Sequence, residues 1–406
     1  MNRKSNMIET VIKQFPALAR THNNKPLTFL DGPAGTQVPN KVIDAISDYY
    51  RTSNSNTHGA FLTTQETDLV LETTREACVN LLNAESQHCI SFGQNMTSLN
   101  IKLSRAIGRY LKAGDEILIT QLDHESNRGP WLRLAEMGMV IKEIAVTPEG
   151  TLDYDHFTSQ ITPKTKLVAM GIASNYTGTI NDVAFARQKS YEVGAWLLLD
   201  AVHYAPHFSI DVQAMGCDFL LCSAYKFYGP HVGILYSKSG LLDSLDTDRL
   251  RTADQQAPYK IETGTLNHAA IAGTKASIEF IAEQGEGPDM RNQLVSAYSK
   301  IADHEGRLAQ KLYAYLDSNP HIRIIGPNFS CVKAPTISFY HEKCEALSLC
   351  EKLAAENIFA WDGHFYAIRA SERLGMQEKG GVTRMGMSMY STNQDIDRTI
   401  NFLESV

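Results

Sequence analysis

Three short apolar runs between residues 195 and 236 limit most strongly what this chain can fold into. They read Ala195-Trp-Leu-Leu-Leu-Asp200, Phe219-Leu-Leu-Cys-Ser223 and Val232-Gly-Ile-Leu-Tyr236. None alternates apolar with polar residues, so each is expected to be a strand buried on both faces, the situation of a sheet covered by helices on both sides. The first run ends in a carboxylate and the second in a serine, with Lys226 three residues on in Ala-Tyr-Lys226-Phe-Tyr-Gly-Pro230. In α/β sheets ligands bind outside the carboxyl ends of the strands, which would bring Asp200, His203, Ser223 and Lys226 to one crevice.

An aspartate, a lysine and hydroxyl donors at the edge of a dry sheet suit pyridoxal phosphate. The lysine would form the Schiff base, the aspartate would keep the pyridine nitrogen protonated, and hydroxyls with backbone amides would hold the phosphate. Taken singly, each residue has a plainer reading. A loop lysine is usually a solvated charge, and an aspartate after a strand usually caps a helix or turn. Lys226 differs from such a lysine in being fed by an apolar strand and followed by a tight Tyr-Gly-Pro turn.

The rest of the chain frames that stretch. Apolar spacing predicts an amino-terminal helical arm over about 8–20 (Ile8, Val11, Ile12, Phe15, Leu18), then a short strand at 27–30 breaking into Asp31-Gly-Pro-Ala-Gly-Thr36. Helices are expected at about 39–50 and 66–82, with a polar loop at 51–58 between them. From Cys89 the pattern is strand, loop, helix, repeated: strands at 89–92, 116–119, 140–146 and 167–172, and helices at 99–110, 131–137 and 183–193. Such alternation implies a largely parallel sheet. The helix beginning near Leu99 follows Gly93-Gln-Asn95-Met96-Thr-Ser98, and its unpaired first-turn amides would attract an anion. From about Glu279 an α+β region follows, with helices at 296–316, 345–356 and 394–403, the last capped at Asn393, and strands at 322–325, 336–340 and within 381–390.

Composition excludes several functions. At 406 residues the chain is expected to hold two domains, and 43% hydrophobic with 20% charged residues is ordinary for a soluble globular protein. A net charge of -7 argues against nucleic acid as the main partner. No apolar run reaches signal-peptide or membrane-span length, so a cytoplasmic location is expected. The seven cysteines include no Cys-x-x-Cys pair and are expected to be reduced. His203 and His207 have the spacing of helical zinc ligands, but Pro206 between them spoils a helix interior, and no metal is expected.

Taken together, these motifs resemble the class V group of fold type I pyridoxal phosphate enzymes, and within it the cysteine desulfurase and selenocysteine lyase branch. The resemblance runs from Phe29-Leu-Asp-Gly-Pro-Ala-Gly-Thr36 to Tyr390-Ser-Thr-Asn393, through Asp200-x-x-His203 and Ser223-Ala-Tyr-Lys226-Phe-Tyr-Gly-Pro230. It implies a large cofactor-binding domain at 28–280, and an arm with a small domain at 1–27 and 281–406. It implies that Lys226 is the Schiff-base lysine and proton shuttle, Asp200 the partner of the pyridinium, His203 the contact to the ring hydroxyl, and His124 the histidine stacked on the ring. Asn175 would lie beside substrate and ring. Asn95, Met96 and Ser223 would hold the phosphate, with Thr265 reaching in from the second subunit of a homodimer that shares its active sites. Arg384 would grip a substrate α-carboxylate, with His364 and Tyr366 nearby.

Departures from the family are equally specific. Desulfurases carry a nucleophilic cysteine in a Gly-His-His-Cys-Ala loop, where this chain has Gly363-His-Phe-Tyr366-Ala367. The Ser-x-His-Lys of many relatives is here Ser223-Ala-Tyr225-Lys226, so a tyrosine hydroxyl would replace an imidazole near the phosphate. The expected activity is therefore an amino-acid enzyme working through an external aldimine and α-carbanion, as a desulfurase-like C–S lyase without persulfide chemistry. Transamination, racemisation, a desulfurase using another thiol, and a non-catalytic sulfur-transfer partner are the alternatives.

Overall fold

The computed structural model of the chain describes residues 10–406. Seven strands form the main sheet: β1 Ile90–Gly93, β2 Glu116–Thr120, β3 Val140–Ile144, β4 Thr165–Gly171, β5 Trp196–Asp200, β6 Phe219–Ser223 and β7 Gly233–Ser237. Their order is β1-β7-β6-β5-β4-β2-β3. From β6 to β3 every pairing is parallel, while β7 is antiparallel to both its neighbours. The exception has a local cause, because the segment from Ala224 to Val232 is too short to carry a helical crossover, and a short return makes the strands antiparallel.

The apolar runs are buried on both sides, as their composition requires. Alternate residues point to opposite faces of a strand, and the two faces feed two separate cores. Leu118, Val168, Leu197, Leu199, Leu220 and Ile234 join one; Ile117, Ile119, Leu167, Leu198, Leu221 and Leu235 join the other.

The principal helices are α1 Asn40–Thr52, α2 Leu62–Leu82, α3 Met96–Tyr110, α4 Val183–Glu192, α5 His268–Ala282, α6 Met290–Ser318, α7 Ala346–Ala355 and α8 Asn393–Leu403. On one face, α3 contributes Leu99, Leu103 and Ile107; on the other, α2, α5 and α6 contribute Leu81, Ile278 and Tyr298.

A second, antiparallel sheet is built from β8 Ile322–Ile325, β9 Thr336–His341, β10 Trp361–Gly363 and β11 Val382–Gly386, in the order β8-β9-β11-β10. Its core takes Leu308, Leu312 and Leu316 from the far half of α6. That helix, roughly 43 Å long at 1.5 Å per residue, therefore serves two cores and fixes the second sheet against the first. Thr28–Phe29 pair in parallel with Ile358–Phe359, and Leu30 is buried in the second core.

The helix expected over 8–20 does not run its length. Ile8 lies outside the described residues, and Pro16 opens a separate 3-10 turn, Pro16–Ala19, because proline cannot supply the amide that a continuing helix needs. Phe15 nevertheless anchors the arm, fully buried against Tyr228, Phe280 and Tyr390 at centroid distances of 5.8, 5.5 and 5.0 Å. The last helix is capped one residue earlier than expected, by Thr392, whose hydroxyl accepts from the Asp395 amide in a capping box. No described helix is long and apolar enough to cross a membrane.

Candidate active site

A cleft of about 1430 Å³ opens at the carboxyl ends of β2, β4, β5 and β6 and is closed from the far side by residues 361–366 and Arg384. Each strand delivers its terminal polar residues to this one space. Asp123 and His124 follow β2, Ser174 and Asn175 follow β4, Asp200 and His203 follow β5, and Ser223, Tyr225 and Lys226 follow β6. Asn95 and Met96 enter at the start of α3.

Lys226 lies at the centre, its ammonium group donating to the carbonyls of Pro33 (2.5 Å) and Ala34 (3.0 Å). Burial, followed by the nearby Arg384 guanidinium, pushes its pKa down to about 7, against the opposing pull of Asp200. Asp200 is 8% exposed and accepts the Val202 amide at 2.9 Å. Burial pushes this carboxyl up to about 7, with the Asp123 carboxylate adding to the rise. It is a buried acid short of a cationic partner.

His203 hydrogen-bonds Thr336 Oγ1 through Nε2 at 3.0 Å, and its buried Nδ1 has no partner among the described residues. Burial drives His203 well below the usual imidazole range. His124 is likewise held neutral, down to about 4, by burial and then by the charges of Lys226 and Arg384. Its Nδ1 accepts the Ser126 amide at 3.0 Å, which fixes the plane of the ring.

Arg384 is 3% exposed; one terminal nitrogen donates to the Asn175 carbonyl at 2.8 Å, and its guanidinium lies 3.8 Å from the centre of the Phe365 ring. Its buried Nε has no partner among the described residues, and burial lowers its pKa to about 9, against the pull of Asp31. The Asn175 side chain donates to the Phe365 carbonyl at 2.9 Å.

At the other end, Asn95 caps α3 by accepting the Ser98 amide at 2.9 Å, and Ser223 Oγ accepts the Met96 amide at 2.9 Å. The Tyr225 ring is stacked on His231. His364 accepts the Tyr366 amide at 3.1 Å, and the Tyr366 ring, 67% exposed, stands 5.5 Å from His124.

All the residues singled out from the sequence except Thr265 line this cleft. Thr265 is exposed in the segment before α5 and is not brought into the cleft of its own chain. Four participants carried no sequence signal strong enough to find them: Asp31, Asp123, His231 and Phe365. Burial pushes the Asp31 carboxyl up to about 6, and Asp31 faces Arg384 electrostatically. Asp123 accepts the Gly171 amide at 3.0 Å and the Asn127 side chain at 3.0 Å. Their adjacency to the Gly-Pro loop and to His124 was the only available hint. No described group of His, Cys, Asp and Glu is placed to hold a metal ion.

These features fit pyridoxal phosphate. An under-paired buried carboxyl lies beside a half-buried lysine, the imidazole nitrogen of His203 is left over, and a capped helix start offers amides at one end of the space.

The comparisons agree. Residues 28–399 match the model of the aminotransferase class-V family. The chain is 32% identical to a probable cysteine desulfurase of Streptomyces coelicolor, over 98% of this chain and 96% of the relative. It is 30% identical to a cysteine desulfurase of an Enterobacter species, over 98% of each. Among solved structures, a cysteine desulfurase of Escherichia coli superposes with a TM-score of 0.86 at 26% identity, covering 98% of each chain. The apo cysteine desulfurase of Thermococcus onnurineus has the same fold, with a TM-score of 0.87 at 24% identity over 98% of this chain and 97% of that one. The chain belongs to the class V aminotransferase family and is a pyridoxal phosphate-dependent, cysteine desulfurase-like enzyme of fold type I.

Proposed function

We propose that the enzyme is a C–S lyase that eliminates a sulfur leaving group from the β-carbon of an amino acid, without forming a persulfide on the protein. The observation that carries this reading is the chemistry around position 366. The loop that relatives use for a nucleophilic cysteine presents Tyr366 there, and no cysteine lines the cleft. Cys78, Cys89, Cys217, Cys222, Cys344 and Cys350 are buried, and Cys331, the exposed one, lines a different depression with Pro148, Arg323 and Leu374.

Bound pyridoxal phosphate supplies an electron sink beside the substrate α-carbon. The chain's own residues supply the rest. Lys226, a free amine in a large share of molecules near neutral pH, takes the α-proton. Asp200 would keep the pyridine nitrogen protonated, and His203 would offer its spare Nδ1 to the ring hydroxyl. His124, neutral and fixed in plane, would stack on the ring. Arg384 uses its unpaired Nε and remaining terminal nitrogen to hold the α-carboxylate in a paired, coplanar contact, with Asn175 beside it. His364 and Tyr366 meet the substrate side chain. Asn95, Met96 and Ser223 hold the phosphate, joined by Thr265 from the second subunit of a homodimer. Residues 28–280 form the cofactor-binding domain in this reading, and 1–27 with 281–406 the arm and small domain.

Incubation of the holoenzyme with cysteine tests it. Release of pyruvate and sulfide, with no mass added to the protein, is the expected result. Alanine formed at multiple turnovers together with a stable added sulfur on any cysteine would restore the desulfurase reading. Turnover that requires a keto acid would instead mark an aminotransferase, and loss of optical activity without release of sulfur a racemase.

A further inference from the structure

The residues of this chain given the phosphate above, Asn95, Met96 and Ser223, are all neutral, whereas a phosphate monoester carries close to two negative charges at neutral pH. Helix-terminal amides contribute only partial charge.

His231, itself exposed, also lines the cleft. Its ring lies flat on Tyr225, with centroids 4.7 Å apart and planes 12° from parallel. Stacking occupies ring faces and leaves both imidazole nitrogens on the free edge. Neither has a hydrogen-bond or ion-pair partner among the described residues.

Backbone contacts place the segment that carries this ring. Val232 donates its amide to Pro230 (2.9 Å) and accepts the Ala224 amide (2.8 Å), so residues 230–232 form a tight return beside Tyr225. Gly233 sits opposite Ser223 in the sheet register. It packs so closely on Asn95 that a Cβ there would stand 2.4 Å from the Asn95 carbonyl carbon. The segment that carries His231 therefore lies directly against the amino terminus of α3. In that first turn the Met96 amide is taken by Ser223 and the Ser98 amide by Asn95. The Thr97 amide has no acceptor among the described residues.

We propose that His231 is a phosphate ligand of the cofactor site. Its ring N–H donates to a phosphate oxygen, and Tyr225 holds the ring flat by stacking. The assignment rests on the reading that the phosphate lies at the start of α3. It gives the phosphate a side-chain N–H donor besides the amides and hydroxyl at the start of α3.

The test compares pyridoxal phosphate with pyridoxal, which lacks the phosphate, by equilibrium dialysis against the full-length apoenzyme. Both ligands can react with Lys226, so their affinity ratio isolates the phosphate. The parent should prefer the phosphorylated form. His231→Gln should reduce that preference about 10- to 100-fold, the loss of one charge-assisted hydrogen bond, with pyridoxal affinity unchanged. His231→Arg should retain most of the preference, and the ³¹P resonance of bound cofactor should move in His231→Gln. An undiminished preference in His231→Gln, or an equal loss for both ligands, overturns the assignment of His231 alone. A parent that does not distinguish the two ligands overturns the placement of the phosphate, and the assignment with it.

Discussion

Lys226 should titrate near neutrality before the cofactor arrives, and two neighbours should move that titration in opposite directions. Its pKa is lowered from 10.5 to about 7. A drop of roughly 3.5 units corresponds to about 5 kcal/mol of preference for the neutral amine, at 1.36 kcal/mol per unit. At pH 7 the reactive fraction rises from about 0.03% to about one half, a gain on the order of 10³. The contacts to Pro33 and Ala34 act the other way, because carbonyl acceptors hold an ammonium more strongly than an amine. Burial is the largest cause; Arg384 lowers the value further and Asp200 raises it. Stopped-flow mixing of apoenzyme with pyridoxal phosphate, followed by the visible absorption that appears on capture, should show a rate that climbs with pH and levels off with a midpoint near 7. Arg384→Gln removes a positive neighbour and should move the midpoint upward. Asp200→Asn removes the carboxylate that favours the ammonium and should move it downward. A parent midpoint near 10, or shifts of the same sign in the two variants, would refute the electrostatic account.

Further consequences can be measured separately. Asp200→Ala should retain the fold by circular dichroism but slow turnover by orders of magnitude, because an unsupported pyridine nitrogen loses its proton and the ring becomes a poor sink; parental turnover would mean that Asp200 is misassigned. Arg384→Lys should raise KM for α-carboxylate substrates by roughly 10- to 100-fold, since an ammonium cannot make the paired contact, and equal affinity of the parent for an amino acid and its amide would contradict the role. Glu262→Ala should destabilise the protein by about 3–5 kcal/mol, read by thermal unfolding. It strands the Arg75 guanidinium, 2% exposed and paired to Glu262 through two 2.9 Å contacts, together with the Phe92 amide. Replacing both partners with apolar residues should recover much of the loss, and an unchanged midpoint in the single variant would count against a buried ion pair.

How much of this was legible in the sequence follows from the range over which each feature is decided. The runs at 196–200, 219–223 and 233–237 announce buried strands because every residue in them is constrained by its own two faces. The clustering of Asp200, His203, Ser223 and Lys226 then follows from strand ends alone. Strand order does not, since it is set by pairings between distant segments, and the reversal of β7 depends on the length of one connection. Nothing local distinguishes Asp31 and Asp123 from ordinary loop carboxylates; only their enclosure by other segments raises their pKa. His207 shows the same limit. Its spacing from His203 invited a metal reading, yet its Nδ1 lies 2.7 Å from Glu305, brought in from α6 and fully buried.

The loop at 363–367 shows why a single side chain can decide the reaction on the reading proposed above. Phe365 and Tyr366 are both left-handed, with φ of +50° and +59°, a conformation that costs a non-glycine residue roughly 1–2 kcal/mol. The backbone is held there by contacts that do not involve the side chain of residue 366. The Glu125 amide donates to the Tyr366 carbonyl at 2.8 Å, the Asn175 side chain donates to the Phe365 carbonyl, and Arg384 covers the Phe365 ring. These contacts come from the segments that carry His124, the proposed ring neighbour, and the proposed carboxylate grip. Any side chain at 366 is thus delivered to the same place beside His124, on a frame set by its neighbours. A thiol there would stand where it can take up sulfur, whereas the phenol of Tyr366 can only pack or donate a hydrogen bond. The difference between transferring sulfur and releasing it then needs no change in the sheet, the lysine or the loop.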